Sequence, residues 1–168
     1  MSRLVLRTPS QWDHKLLVKW RNQSLPYFYS SSPITLESHL EWYEQIELDD
    51  TQQFYAIGLG HTCMGAIGLK DIDLVHKRAE YGRLIIAPSY RGQGYGRHAL
   101  LSLLDYAFGT LDLNRVYGYI LANNFPGLAT ALSVGFSIEG VLNQHVYKDA
   151  VYLDVISVGI LADDWRDS

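Results

Sequence analysis

One stretch, Ala79 to Leu104, limits what this chain can fold into more than any other. From Tyr81 to Ala87 apolar side chains follow one another nearly back to back, the pattern of a strand buried on both faces. Pro88 stops the strand. A glycine-rich turn follows, Arg91-Gly92-Gln93-Gly94-Tyr95-Gly96-Arg97, and then a helix whose Leu100, Leu101, Leu103, Leu104 and Phe108 crowd one side. Strand, glycine-rich turn and helix together aim several backbone N–H groups and the positive end of a helix dipole at one spot. Glycine at alternate positions removes Cβ atoms that would block a ligand and permits positive φ. The guest this predicts is a phosphate or pyrophosphate.

Two phosphate loops fail against these letters. A nucleotide-triphosphate P-loop needs Lys and then Ser/Thr after its last glycine, but Gly96 is followed by Arg97 and His98. The dinucleotide fingerprint G-x-G-x-x-G needs glycine at position 97.

The remainder reads as one α/β domain over residues 1–168. Arg3 to Thr8 alternates as a strand. Ser10 with Asp13 starts a helix on which Trp12, Leu16, Leu17 and Trp20 recur at helical spacing. Ser24 to Pro33 is a loop rich in Ser, Pro and Tyr. Thr35 caps a second helix with Leu36, Leu40, Tyr43 and Ile46 on its inner side. Gln53 to Leu59 and Cys63 to Lys70 form a hairpin. After the long helix come a strand at Arg115 to Leu121, a short helix opened by Pro126 and closed at Gly135, and two paired strands, Phe136 to Tyr147 and Val151 to Leu161.

A net charge of −4 argues against broad nucleic-acid binding. No apolar run approaches the roughly 20 residues of a membrane span, and the N-terminus has no signal-peptide core. Cys63 stands alone, which excludes an internal disulfide and agrees with a cytoplasmic location. In its strand it reads as a small core residue. The six histidines show no metal-ligand spacing, so no metal is expected.

What the loop does fit is R/Q-x-x-G-x-G/A, through Arg91, Gly94 and Gly96. That pattern resembles the pyrophosphate loop of the GNAT superfamily, the acyl-CoA-dependent N-acyltransferases. The element order matches theirs too, as does Asn124 followed eleven residues later by Gly135-Phe136. The resemblance covers essentially the whole chain. It implies a mixed α/β (α+β) fold: a mostly antiparallel sheet of about seven strands, splayed at the cofactor site and flanked by four helices. Trp20-Arg21-Asn22, His39-Leu40-Glu41-Trp42 and Lys148-Asp149…Tyr152…Asp154 look like members that acetylate nucleotide-linked 4-amino-4,6-dideoxy sugars for surface glycans. Ribosomal-protein N-terminal acetyltransferases share some of these motifs.

By this resemblance acetyl-CoA is the co-substrate. The backbone of Leu84, Ile85, Ile86 and Ala87 pairs with its pantetheine arm. Arg91, Gly92, Gln93, Gly94, Tyr95, Gly96 and Arg97 hold its pyrophosphate, and Asn124 contacts the pantetheine or pyrophosphate end. Trp20, Arg21 and Asn22 line the acceptor pocket, where Arg21 meets a substrate phosphate.

Attack of a neutral amine on a thioester needs a base and a route for the departing thiolate. Glu80 is the candidate base. Many relatives place a tyrosine acid four residues before the Gly-Phe glycine, where this chain has Ala131. His145, Tyr147, Tyr117 and Tyr119 are the replacements to consider, or water, which the low basicity of a thiolate permits. A homodimer is a further expectation, because sheet edges need cover. The competing readings are a protein N-terminal acetyltransferase and a non-catalytic acyl-CoA-binding module.

Overall fold

The computed structural model describes residues 4–166, so Arg3 lies outside it. The first strand, β1 (Leu4–Arg7), leads into a reciprocal capping box. The Ser10 hydroxyl accepts from the Asp13 N–H and the Asp13 carboxylate from the Ser10 N–H, which starts α1 (Gln11–Gln23). Thr35 and Ser38 start α2 (Leu36–Glu47) in the same way. Both helices are turned from the expected faces. Trp12, Leu16 and Leu40 are exposed, while Asp13, His14, Leu17 and Trp20 of α1 face inward with His39, Tyr43 and Ile46 of α2. Polar partners explain the rotation. Arg7 binds the Asp13 carboxylate in bidentate fashion, and His14 Nδ1 lies 3.1 Å from His39 Nε2.

Six more strands complete one sheet: β2 (Gln53–Leu59), β3 (Thr62–Asp73), β4 (Arg78–Ile86), β5 (Arg115–Leu121), β6 (Ser137–Lys148) and β7 (Val151–Leu161). Their spatial order is β1-β2-β3-β4-β5-β7-β6. Every neighbouring pair is antiparallel except β4–β5. One face is covered by α3 (Tyr95–Gly109), over a core of Met64, Ile67, Leu69, Leu100, Leu103, Leu104 and Val116. The short α4 (Phe125–Ser133) lies beside α3. A second cluster, with Leu17, Trp20, Tyr43, Ile46, Phe54 and Ile85, lies under α1 and α2. A fifth helix, α5 (Ala162–Arg166), was not expected; its Trp165 ring meets Phe108 at 6.3 Å. No described helix is long and apolar enough to cross a membrane.

β4 and β5 pair only at Arg78–Arg115, Ala79–Val116 and Glu80–Tyr117, and then part. Two features force the parting. Gly68 pairs with Gly82 and Ala66 with Ile85, so one residue of β3 opposes Arg83 and Leu84 of β4. Such a bulge bends its strand, and Arg83 carries it at φ +58°. The Tyr81 ring meanwhile fills the space above Gly118, where a Cβ would collide with it. The strand expected to be buried on both faces is therefore half-buried at Gly82, Arg83, Leu84 and Ile86.

Gly118→Ala is expected to cost about 2–3 kcal/mol by overpacking against Tyr81, read as a lower urea midpoint. At Gly140 an added methyl meets nothing within 4 Å, so Gly140→Ala should stay within about 0.5 kcal/mol of the parent or exceed it. Equal stability of the two variants would remove the Tyr81–Gly118 contact from the account.

Candidate active site

The loop before α3 has the expected geometry at two of its three glycines. Gly92 (φ +72°) and Gly94 (φ +83°) occupy the left-handed region, and Gly94 is the N-cap of α3 with no side chain to satisfy the first-turn N–H groups. Gly96 differs: a Cβ there would make only ordinary contacts, at 3.6–3.7 Å from Ile86 and Thr130. Several side chains of the loop are tied to the frame. Arg91 donates to the Ile86 carbonyl (3.0 Å) and the Ser24 hydroxyl (2.8 Å), Gln93 to the Ser89 carbonyl (2.8 Å) and Arg97 to the Ser133 carbonyl (3.3 Å). Tyr95 packs edge-on against Tyr90. What remains toward a ligand is backbone: the N-terminus of α3 and, past Glu80, the edge of β4 that β5 has left.

Glu80 sits at the vertex of this fork and is buried, paired with Lys70 at 2.8 Å. Burial pushes its carboxyl above the ordinary carboxylate range, and Lys70 opposes the shift. Tyr117 is its partner across the strands, and Tyr119 follows two residues on, exposed and against the Tyr117 ring. Tyr29, from the loop between α1 and α2, joins this group. Its phenol is pushed up by burial and then by the charges of Glu80 and Tyr119.

That loop is fastened from three sides. The Asn22 side chain donates to the Ile34 carbonyl (2.8 Å) and accepts from the Ile34 N–H (2.9 Å). Lys148, from the end of β6, donates to the carbonyls of Leu25 (2.5 Å) and Phe28 (2.7 Å). Arg91 holds Ser24, whose hydroxyl also donates to the Trp20 carbonyl. The guanidinium of Arg21 lies over the Phe28 ring and that of Arg83 over Trp42, each 4.9 Å from the centroid.

The expected site residues thus divide. Glu80, Leu84 to Ala87 and the loop amides come together at the fork. Trp20 is buried in the second core, Asn22 is the loop clip, and Asn124 caps α4 by accepting from the Gly127 N–H (3.0 Å). His145 and Tyr147 are exposed on the far part of β6, and Tyr147 pairs with Tyr152. Glu80 is level with Tyr117 and Gly159, and Tyr152 is seven residues farther along β7, about 23 Å of extended strand. That length is counted from the vertex at Glu80; Lys148, the neighbour of Tyr147, reaches the carbonyls of Leu25 and Phe28. Ala131 is fully buried and offers no hydroxyl. Arg83 and Tyr29 were missed; an arginine inside an apolar run was the available signal. Burial raises the Cys63 thiol to about 11, far from a nucleophile.

Residues 3–137 match the family model described as an acetyltransferase (GNAT) domain. The chain belongs to this family. Across nearly its full length the GNAT chain is 25% identical to the spermidine N(1)-acetyltransferase of Vibrio cholerae, covering 95% of this chain and 94% of that one. It is also 25% identical to the uncharacterized N-acetyltransferase p20 of Bacillus licheniformis, over 97% and 95%. A crystal structure of the Vibrio cholerae spermidine N-acetyltransferase in complex with CoA and spermine superposes with a TM-score of 0.89, covering 99% of each chain at 25% identity. The Vibrio cholerae relative is named for spermidine, a polyamine, and not for the nucleotide-linked amino sugars suggested by the short motifs.

The His14–His39 contact makes a prediction of its own. Burial, and then the neighbouring His14, lowers His39 to about 4; burial lowers His14 too, against Asp13 and Glu47. The fold thus disfavours the charged form of both, most of all at His39, while the unfolded histidines titrate near the usual 6.5. Their stability is complete above about pH 6.5 and is lost as pH falls toward about 4. The raised Glu80 acts in the opposite sense. The urea midpoint should fall between pH 7 and pH 5, and less in His14→Gln/His39→Gln; the same slope in both proteins would contradict this.

Proposed function

We propose that this acetyltransferase moves an acetyl group from acetyl-CoA to a primary amine on an acceptor that also carries negative charge, most fittingly a nucleotide-linked amino sugar. The observation carrying the acceptor half is chemical. Residues 24–36, which cover the fork, contain no carboxylate, while Arg21 at their start keeps a buried N–H without a partner. A polycation needs carboxylates there; a diphosphate needs donors and aromatic walls.

Acetyl-CoA supplies the activated acyl group as a thioester. Leu84 to Ala87 offer an amide-rich arm the strand edge that β5 leaves, with Arg91 on the Ile86 carbonyl, and the amides from Gly92 to Arg97 with the α3 dipole suit a pyrophosphate. Glu80, directly or through water, takes the proton of the acceptor ammonium. The amine nitrogen then attacks the thioester carbonyl, the C–S bond breaks, and the nitrogen gives up its remaining extra proton to water as the amide forms. The thiolate takes a proton from Tyr119, Tyr29 or water, a tyrosinate so formed being reprotonated by solvent. Transfer is direct, within a ternary complex.

Calorimetry tests the cofactor half: the protein should bind acetyl-CoA at micromolar concentration, and Gly94→Glu should abolish this with the far-UV spectrum unchanged. No binding by the parent would sink the reading. Glu80→Gln should then lower kcat by about 10²-fold and remove the acidic limb of the pH profile, which lies above the ordinary carboxylate range. The full-length likeness to a spermidine acetyltransferase favours a second reading, polyamine acetylation. Free-thiol release with nucleotide-linked 4-amino sugars, spermidine and an N-terminal peptide separates the acceptors. A tenfold higher kcat/KM for spermidine would replace the first reading with the second.

A further inference from the structure

Among the described residues, two buried side-chain nitrogens lack a hydrogen-bond partner, and both belong to arginines: Arg21 Nη1 and Arg83 Nη1. An orphaned buried donor needs an explanation, and a guanidinium over an aromatic face is a ready receptor for phosphate or carboxylate. The two are built alike. Each lies over a ring, Phe28 or Trp42, and both rings pack against the cluster under α1 and α2. Among the described residues, neither arginine lies within 4.0 Å of a carboxylate in an ion pair; Glu80, the charge nearest in sequence to Arg83, is held by Lys70.

Arg83 is placed at some cost. It sits on the bulge at φ +58°, a region where non-glycine residues are uncommon and arginine has no special ease. A bulge re-aims a side chain, and this one sends the guanidinium to Trp42 of α2, where Gln52 takes one of its N–H groups and leaves another free. Burial lowers its pKa while Glu80, Asp71 and Asp49 raise it. The Asp49 oxygens are already taken by Thr51 and Gln52.

We infer that Arg83 is a specificity-determining residue whose free N–H, with that of Arg21, binds an anionic group, phosphate or carboxylate, carried by the acceptor. The inference rests on the acetyl-transfer reading but not on the acceptor being a nucleotide sugar.

The test titrates the CoA-saturated protein with uridine 5′-diphosphate, so that the cofactor's own phosphate site is filled. The parent should bind it. Arg83→Asn, which tolerates positive φ, and Arg21→Gln should each weaken binding at least tenfold, with CoA affinity within twofold of the parent. In turnover, Arg83→Asn should raise KM for glucosamine 6-phosphate at least tenfold relative to glucosamine and leave kcat nearly unchanged, and Arg83→Lys should recover part of the loss. Absent diphosphate binding by the CoA-saturated parent, or equal losses for both amines, would overturn the inference alone. Failure to bind CoA would overturn the acetyl-transfer reading and this inference with it.

Discussion

The separation of β4 from β5 after three residue pairs is the constraint on which the site depends, and it is built from packing as much as from hydrogen bonds. Two parallel strands in a sheet normally satisfy each other's N–H and C=O groups along their length. Here the Arg83 bulge bends one strand and the Tyr81 ring over Gly118 props the gap between them. The result is a strand edge that β5 leaves at Leu84 to Ile86, where Arg91 already donates to the Ile86 carbonyl, beside the open N-terminus of α3 and above a buried carboxylate. A ligand that is an extended amide chain ending in a diphosphate suits those groups together. Neither the loop nor the strand edge alone would specify it.

The acceptor side is held to this frame by few bonds. Arg91 links the glycine-rich loop to Ser24, so that loop and the segment between α1 and α2 share one side chain. Lys148 ties the same segment to the β6–β7 hairpin, and Asn22 closes it on Ile34. These residues hold the segment in place, whereas Arg21 and Arg83, over Phe28 and Trp42, each keep a buried donor without a partner.

The fold was legible where its signals are local. The glycine loop, the two capping boxes, the Pro126 start of α4 and the hairpins depend on residues a few positions apart. The faces of α1 and α2 were not, because Asp13 with Arg7 and His14 with His39 are pairs that no hydrophobic period records. The bulge was hidden for a related reason: Arg83 stands in a run that reads as buried strand, and only the register with β3 shows that one residue there is extra. Asn22 and Asn124 were noticed through a family motif, yet the contacts they make are a loop clip and a helix cap. His145 and Tyr147 lie toward the turn end of the long β6–β7 hairpin, a placement that letters do not reveal.

The most direct test of the fork is a titration of isotopically labelled protein with CoA, followed through backbone amide shifts. The account predicts that the largest changes fall on Leu84 to Ala87 and on Gly92 to Arg97, with smaller ones at Ser24 transmitted through Arg91. Changes concentrated on β6 or on the outer face of α2, with those two segments silent, would contradict it.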